Sequence, residues 1–135
     1  MGTAINGTFS GWAHHEAMST AERPIDLDHL NRYTGGDRGL NEEILKLFED
    51  QCAATLAQLE VLAKDDGAGG KTWHELTHTL KGAARGVGAF GLADIAAEAE
   101  KIPADRTAAI EVLRRLKGTS SAVHIFVEEL LQSPA

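Results

Sequence analysis

Apolar residues recur along most of the chain at steps of three and four, the spacing that one face of an α-helix requires. A short element, Asp26-Leu-Asp-His-Leu-Asn-Arg-Tyr33, is predicted to stop at Gly35-Gly36. A long helix is expected to open at Asn41-Glu-Glu43, an amide cap followed by two acids in the first turn. Its apolar stripe is Leu45, Phe48, Cys52, Leu56, Leu59 and Leu62, and it ends in Asp65-Asp-Gly-Ala-Gly-Gly70. A third helix is predicted over residues 72–87, and a fourth over 90–102 with Leu92, Ile95, Ala99 and Ile102. Pro103 breaks the chain or opens the next helix. The last helix carries Ile110, Leu113, Leu116, Val123, Val127 and Leu130, with a bend expected near Gly118. No segment alternates with the period of a strand, and Ala and Leu dominate the periodic stretches. Short connections between amphipathic helices make neighbours antiparallel. The expected fold class is therefore all-α: an antiparallel up-and-down four-helix bundle over residues 25–133, with a short additional N-terminal helix.

Residues 1–24 read differently, as a flexible N-terminal arm. Gly2, Gly7 and Gly11 sit among Thr, Asn and Ser, and only Phe9 and Trp12 offer bulk. One helical turn is expected near Trp12–Met18. Met18-Ser-Thr-Ala-Glu is itself a candidate translation start, so residues 1–17 are set aside from the functional reading.

Composition narrows the function. At 135 residues there is room for one domain with a modest core. No apolar run approaches the roughly 18–20 residues of a membrane span. The first 20 residues have neither the basic start nor the apolar run of a secretory signal. Thirteen Lys and Arg against 20 Asp and Glu give a net charge of −7, which argues against sequence-independent nucleic-acid binding. A lone cysteine makes no internal disulfide and fits a reducing cytoplasm. Cys52 falls on the apolar stripe, so a core position is expected for it.

Chemistry concentrates in residues 72–88, Thr-Trp-His-Glu-Leu-Thr-His-Thr-Leu-Lys-Gly-Ala-Ala-Arg-Gly-Val-Gly. At about 100° per residue, Leu76, Leu80, Ala83 and Val87 fall within about 40° of the side opposite His78, flanked by Trp73 and Ala84. His74, Lys81, Gly82 and Arg85 fall within about 60° of His78. An imidazole is thus expected on the solvent face, beside two cations and a glycine. A glycine inside a helix costs about 1 kcal/mol relative to alanine, and here its use is clearance for a second protein. Lys81 and Arg85 are placed to neutralise an anion on the imidazole. Neutral imidazole is a nucleophile at cytoplasmic pH.

The run His78-Thr-Leu-Lys-Gly82, continued by Ala-Ala-Arg-Gly-Val-Gly-Ala89 and an acidic helix with Glu98 and Glu100, resembles the signature of histidine-containing phosphotransfer domains. The resemblance covers roughly residues 26–130. It implies that His78 accepts a phosphoryl group from a receiver-domain aspartate, or from a hybrid histidine kinase, and passes it to a response-regulator receiver. It further implies that Lys81 stabilises the phosphoryl oxygens and that Gly82 gives steric access; Arg85, on the same face, is expected to assist or to contact the partner. Such a protein is a phosphocarrier rather than an enzyme, expected to be cytoplasmic and monomeric. It needs no cofactor of its own, because Mg²⁺ sits in the partner receiver. One departure is Gly86, where a polar residue is frequent in the family.

Competing readings rest on shorter patterns. An adaptor bundle that binds receivers without carrying phosphate would not need His78, Lys81 and Gly82 together. His74-Glu75-Leu76-Thr77-His78 satisfies the zinc-peptidase pattern H-E-x-x-H, with Glu98 as a conceivable third ligand, but no strand is expected to hold a peptide. Asp65-Asp-Gly-Ala-Gly-Gly-Lys-Thr72 imitates a phosphate loop, yet Asp65 replaces the first glycine and no strand precedes it. A flexible loop capped by Thr72 is expected instead, and no nucleotide site. His29 and His124 are expected in surface or packing roles, and His14 and His15 lie in the arm.

Overall fold

The computed structural model describes residues 23–65 and 67–133. The expected turn at Trp12–Met18 lies outside the described residues. Five α-helices run in order: α1 Leu27–Thr34, α2 Arg38–Lys64, α3 Lys71–Val87, α4 Phe90–Glu100 and α5 Arg106–Gln132. No strand occurs among the described residues. No helix among them is long and apolar enough to cross a membrane.

Helix ends follow capping chemistry more than apolar period. Asp26 caps α1 by accepting from His29 N at 3.1 Å, and Gly35 closes it with a left-handed φ of 67°. The start of α2 differs from the expected Asn41. Asp37 is the N-cap and accepts from Leu40 N at 2.9 Å, so the helix opens at Arg38. Asn41 lies one turn inside, where its amide donates to Asn31 Oδ1. Gly70 rather than Thr72 is the N-cap of α3. The preceding loop is packed: Ala68 is buried, and a Cβ on Gly69 would stand 2.8 Å from Ala104 N. Helix α4 ends at Glu100, two residues short of expectation, because Pro103 disfavours helical backbone just before it. Helix α5 starts at Arg106, where Asp105 accepts from Thr107 N at 2.9 Å, and it continues through Gly118 without interruption.

Among the four longer helices, α2 packs on α3 and α5, and α4 packs on α3 and α5. Between α2 and α5, the beginning of one lies beside the end of the other. Arg38 donates to the carbonyls of Leu130, Leu131 and Ser133, Arg106 donates to the Lys64 carbonyl, and Glu49 meets His124. Leu45, Phe48 and Leu59 from α2, Trp73 and Leu80 from α3, Leu92 from α4, and Leu116, Phe126 and Val127 from α5 fill the interior. Cys52 belongs to that core as expected, and burial pushes its thiol pKa up. Helix α1 seals one end through Leu27 and Leu30, with Ile25 buried just before its cap. His29 packs its ring edge-on against Tyr33 and Phe90, one of the two roles expected of it.

One backbone position ties α1, α3 and α4 together. Gly88 takes a φ of 88°, Ala89 N closes onto Ala84 O at 2.8 Å, and Asp26 N bonds Gly88 O at 2.8 Å. A Cβ at Gly88 would stand 2.6 Å from Asp26 O. Gly88→Ala combines left-handed strain with that clash, and is expected to lower unfolding free energy by about 1–3 kcal/mol in urea titration.

A second expectation concerns His124, whose Nδ1 lies 2.7 Å from Glu49 Oε2. Hydrogen bonding to Glu49, then its charge, raises the His124 pKa above the ordinary histidine value. Because the folded-state value is raised, the pair's stabilisation is complete below about pH 6.5. It is lost as pH climbs through the raised value. NMR titration should show His124 ionising above the ordinary range, and Glu49→Gln should return it there.

Candidate functional site

Helix α3 presents its buried side through Trp73, Thr77, Leu80, Ala84 and Val87. That arc is turned by about 50° from the expected stripe centred on Leu76, Leu80, Ala83 and Val87. Leu76 and Ala83 are only partly covered. The cause is Thr77, a polar residue whose hydroxyl donates to Trp73 O at 2.9 Å and His74 O at 3.1 Å and so tolerates full burial. The rotation matters for the site. Gly82 becomes the position directly opposite the core, His78 tips toward α4, and Lys81 is drawn toward the interface.

The His78 side chain is 65% exposed, as expected, and its Nδ1 lies 3.2 Å from Glu100 Oε2 at the end of α4. Glu100 is only 9% exposed and receives three side chains from α3. Lys81 Nζ lies 2.5 Å from Oε1, while His78 Nδ1 and His74 Nε2 approach Oε2 at 3.2 and 3.7 Å. The two imidazoles, one turn apart, stack with centroids 6.2 Å apart and planes 13° from parallel. Hydrogen bonding to Lys81, then to His78, holds the Glu100 carboxyl below the ordinary carboxylate range, against the effect of its burial. An ionised Glu100 accepts a proton-bearing Nδ1, and that leaves the Nε2 lone pair facing solvent.

Around the ring the surface is bare. A Cβ built at Gly82 or at Gly86 would meet nothing within 4 Å. Arg85 is exposed and makes no hydrogen bond or ion pair with another described residue. Of the expected site residues, His78, Lys81, Gly82 and Arg85 thus share one exposed flank of α3, with Lys81 already engaged. Glu100 was named from sequence only as part of the acidic helix, not as a site residue. The signal was present in the register: a tight turn at Gly88-Ala89 lays the end of α4 alongside His78. Glu98 does not reach the histidines, because it forms a two-bond pair with Arg115 of α5 at 2.7 and 3.0 Å. Among the described residues no group of three His, Cys, Asp or Glu side chains is placed to hold a metal ion.

An exposed imidazole held by one nitrogen, on a helix bared by glycine, inside an all-helical domain, defines a histidine-presenting bundle. Residues 43–132 match the Hpt domain family, from the first turns of α2 to the last residue of α5, and the chain belongs to that family. Helix α1 lies outside the matched region. No curated protein and no solved structure gives a significant match to the chain.

The ring orientation is open to direct measurement. In ¹⁵N NMR the neutral His78 ring should carry its proton mainly on Nδ1, and Glu100→Gln should raise the share on Nε2. An unchanged tautomer ratio would show that Glu100 does not set it.

Proposed function

We propose that His78 is the phosphoryl carrier of a multistep phosphorelay, held on an antiparallel up-and-down four-helix bundle spanning residues 25–133. The observation that carries the reading is the His78–Glu100 contact, which anchors Nδ1 and leaves Nε2 outward beside the bare Gly82 surface. The Nε2 lone pair attacks the phosphorus of a receiver's aspartyl phosphate. The N–P bond forms as the acyl P–O bond breaks, and the bonding electrons return to the aspartate carboxylate. The ring becomes cationic, with its proton still on Nδ1 and hydrogen-bonded to the ionised Glu100. Delivery to a second receiver reverses the sequence.

Gly82 gives the receiver room to approach, on a flank that also carries the cations Lys81 and Arg85. Mg²⁺ and most of the transition-state charge stabilisation belong to the receiver's acidic pocket. This chain contributes a rigidly held nucleophile and acts as a phosphocarrier, not as an enzyme in its own right. Partners are receiver domains of response regulators and hybrid histidine kinases, in the cytoplasm, with the carrier a monomer.

The reading is tested with a receiver charged from labelled acetyl phosphate. Label should pass to the wild type and to His74→Ala, and not to His78→Gln. Transfer to His78→Gln at the wild-type rate would refute the assignment, and loss with His74→Ala alongside bound zinc would favour a metallopeptidase. Gly82→Leu should slow transfer from the receiver roughly tenfold or more. It should leave phosphorylation by the small donor phosphoramidate nearly unchanged, because only a macromolecular donor needs the clearance.

A further inference from the structure

Two cations flank His78, and the structure gives them different work. Lys81 Nζ sits 2.5 Å from Glu100 Oε1 with its side chain 19% exposed. Withdrawing it toward a ligand on His78 would strand a largely buried carboxylate, a costly exchange. Arg85 has no such commitment: it is exposed and pairs with no other described residue. Its position suits a group on Nε2. In a helix the Cα–Cβ bond tilts toward the N-terminus, so a side chain lies over the turn before its own Cα. Arg85 stands seven residues after His78, about 10.5 Å along the axis; both side chains share that tilt, so it is the greater length of an arginine that can narrow the gap to the imidazole. The turn it crosses carries Gly82, where no side chain stands in the way. Lys71, seven residues before His78, has the same N-terminal tilt, which takes it away from the imidazole.

We infer that Arg85, not Lys81, supplies the positive charge facing a phosphoryl group on His78, while Lys81 is a positioning residue whose charge is taken up by Glu100. The inference rests on the phosphocarrier reading and divides labour that the sequence resemblance assigned chiefly to Lys81. The other ionisable groups in contact with the ring are His74 on α3 and Glu100 from α4. As a phosphoryl group arrives, its charge adds to a flank where Glu100 is already matched by Lys81, so the unmatched guanidinium is the one that answers it. A planar guanidinium also suits phosphoryl oxygens better than a point-charge ammonium does.

The test reads the phosphoryl group itself. The protein is phosphorylated with potassium phosphoramidate in a His74→Ala background, so that the neighbouring ring's titration does not enter. The ³¹P resonance absent from a His78→Gln control is then followed against pH. Arg85→Gln should raise the second ionisation of the phosphoryl group by roughly half a unit, and Arg85→Lys should restore part of that shift. Lys81→Met/Glu100→Gln removes the matched pair as a unit and should leave the titration nearly where it was. An Arg85→Gln titration equal to wild type overturns the inference, as does a shift in the double variant as large as that of Arg85→Gln. Absence of any His78-dependent phosphoryl resonance in the otherwise unaltered chain would instead refute the carrier reading beneath it.

Discussion

The close contact between α3 and α4 is the constraint on which the site depends. Gly88 turns the chain in a left-handed conformation, and Ala84, Ala93, Ala96 and Ala99 are all fully buried, so little bulk separates the two helices. Trp73 fixes how far α4 runs along α3, because its indole Nε1 donates to Ala99 O at 2.8 Å. A buried indole N–H without an acceptor would carry a desolvation cost of about 1–3 kcal/mol, so the register is strongly held. Glu100 follows Ala99, and its carboxylate is thereby delivered beneath His78. A slip of one helical turn would carry that carboxylate away from the ring.

A largely buried carboxylate needs compensation, and three side chains of α3 supply it at spacings of four and three residues: His74, His78 and Lys81. Lys81 is the strongest of the three partners and keeps Glu100 ionised. The ionised carboxylate in turn sets which imidazole nitrogen faces outward. The chain of effects runs from a hidden ion pair to the reactivity of an exposed atom. It also explains how His78 can be well exposed and yet oriented: the ring is held at one nitrogen and free at the other. The surface beyond it is kept low by glycines at positions 82 and 86.

The same chemistry elsewhere shows what the site adds. His124 also sets Nδ1 against a carboxylate from a neighbouring helix, Glu49. Its surroundings on α5 offer no glycine comparable to Gly82, and Glu128, one turn on, adds negative charge that helps keep its proton on. A histidine–carboxylate contact alone therefore tightens the packing of α2 and α5. Bare backbone and an uncommitted cation are what distinguish the flank around His78.

Much of this was readable in the order of residues. Helical period, the glycine stops and the absence of strand patterning gave the all-helical class, and the face carrying His78, Lys81, Gly82 and Arg85 followed from spacing along one helix. These are local properties, decided within a few turns. Helix ends were less legible, since Asp37 and Asp105 cap with their side-chain carboxylates and Gly70 by backbone conformation alone, and apolar period encodes neither. Thr77 was legible only in part, because a hydroxyl that bonds its own helix can be buried like an apolar group. What only tertiary structure decided was which acid meets the histidine. Glu98 and Glu100 are two residues apart, and a helix turns by about 200° over that interval. One therefore faces α5 and Arg115 while the other faces α3 and His78, and the packing angle of α4 makes that choice.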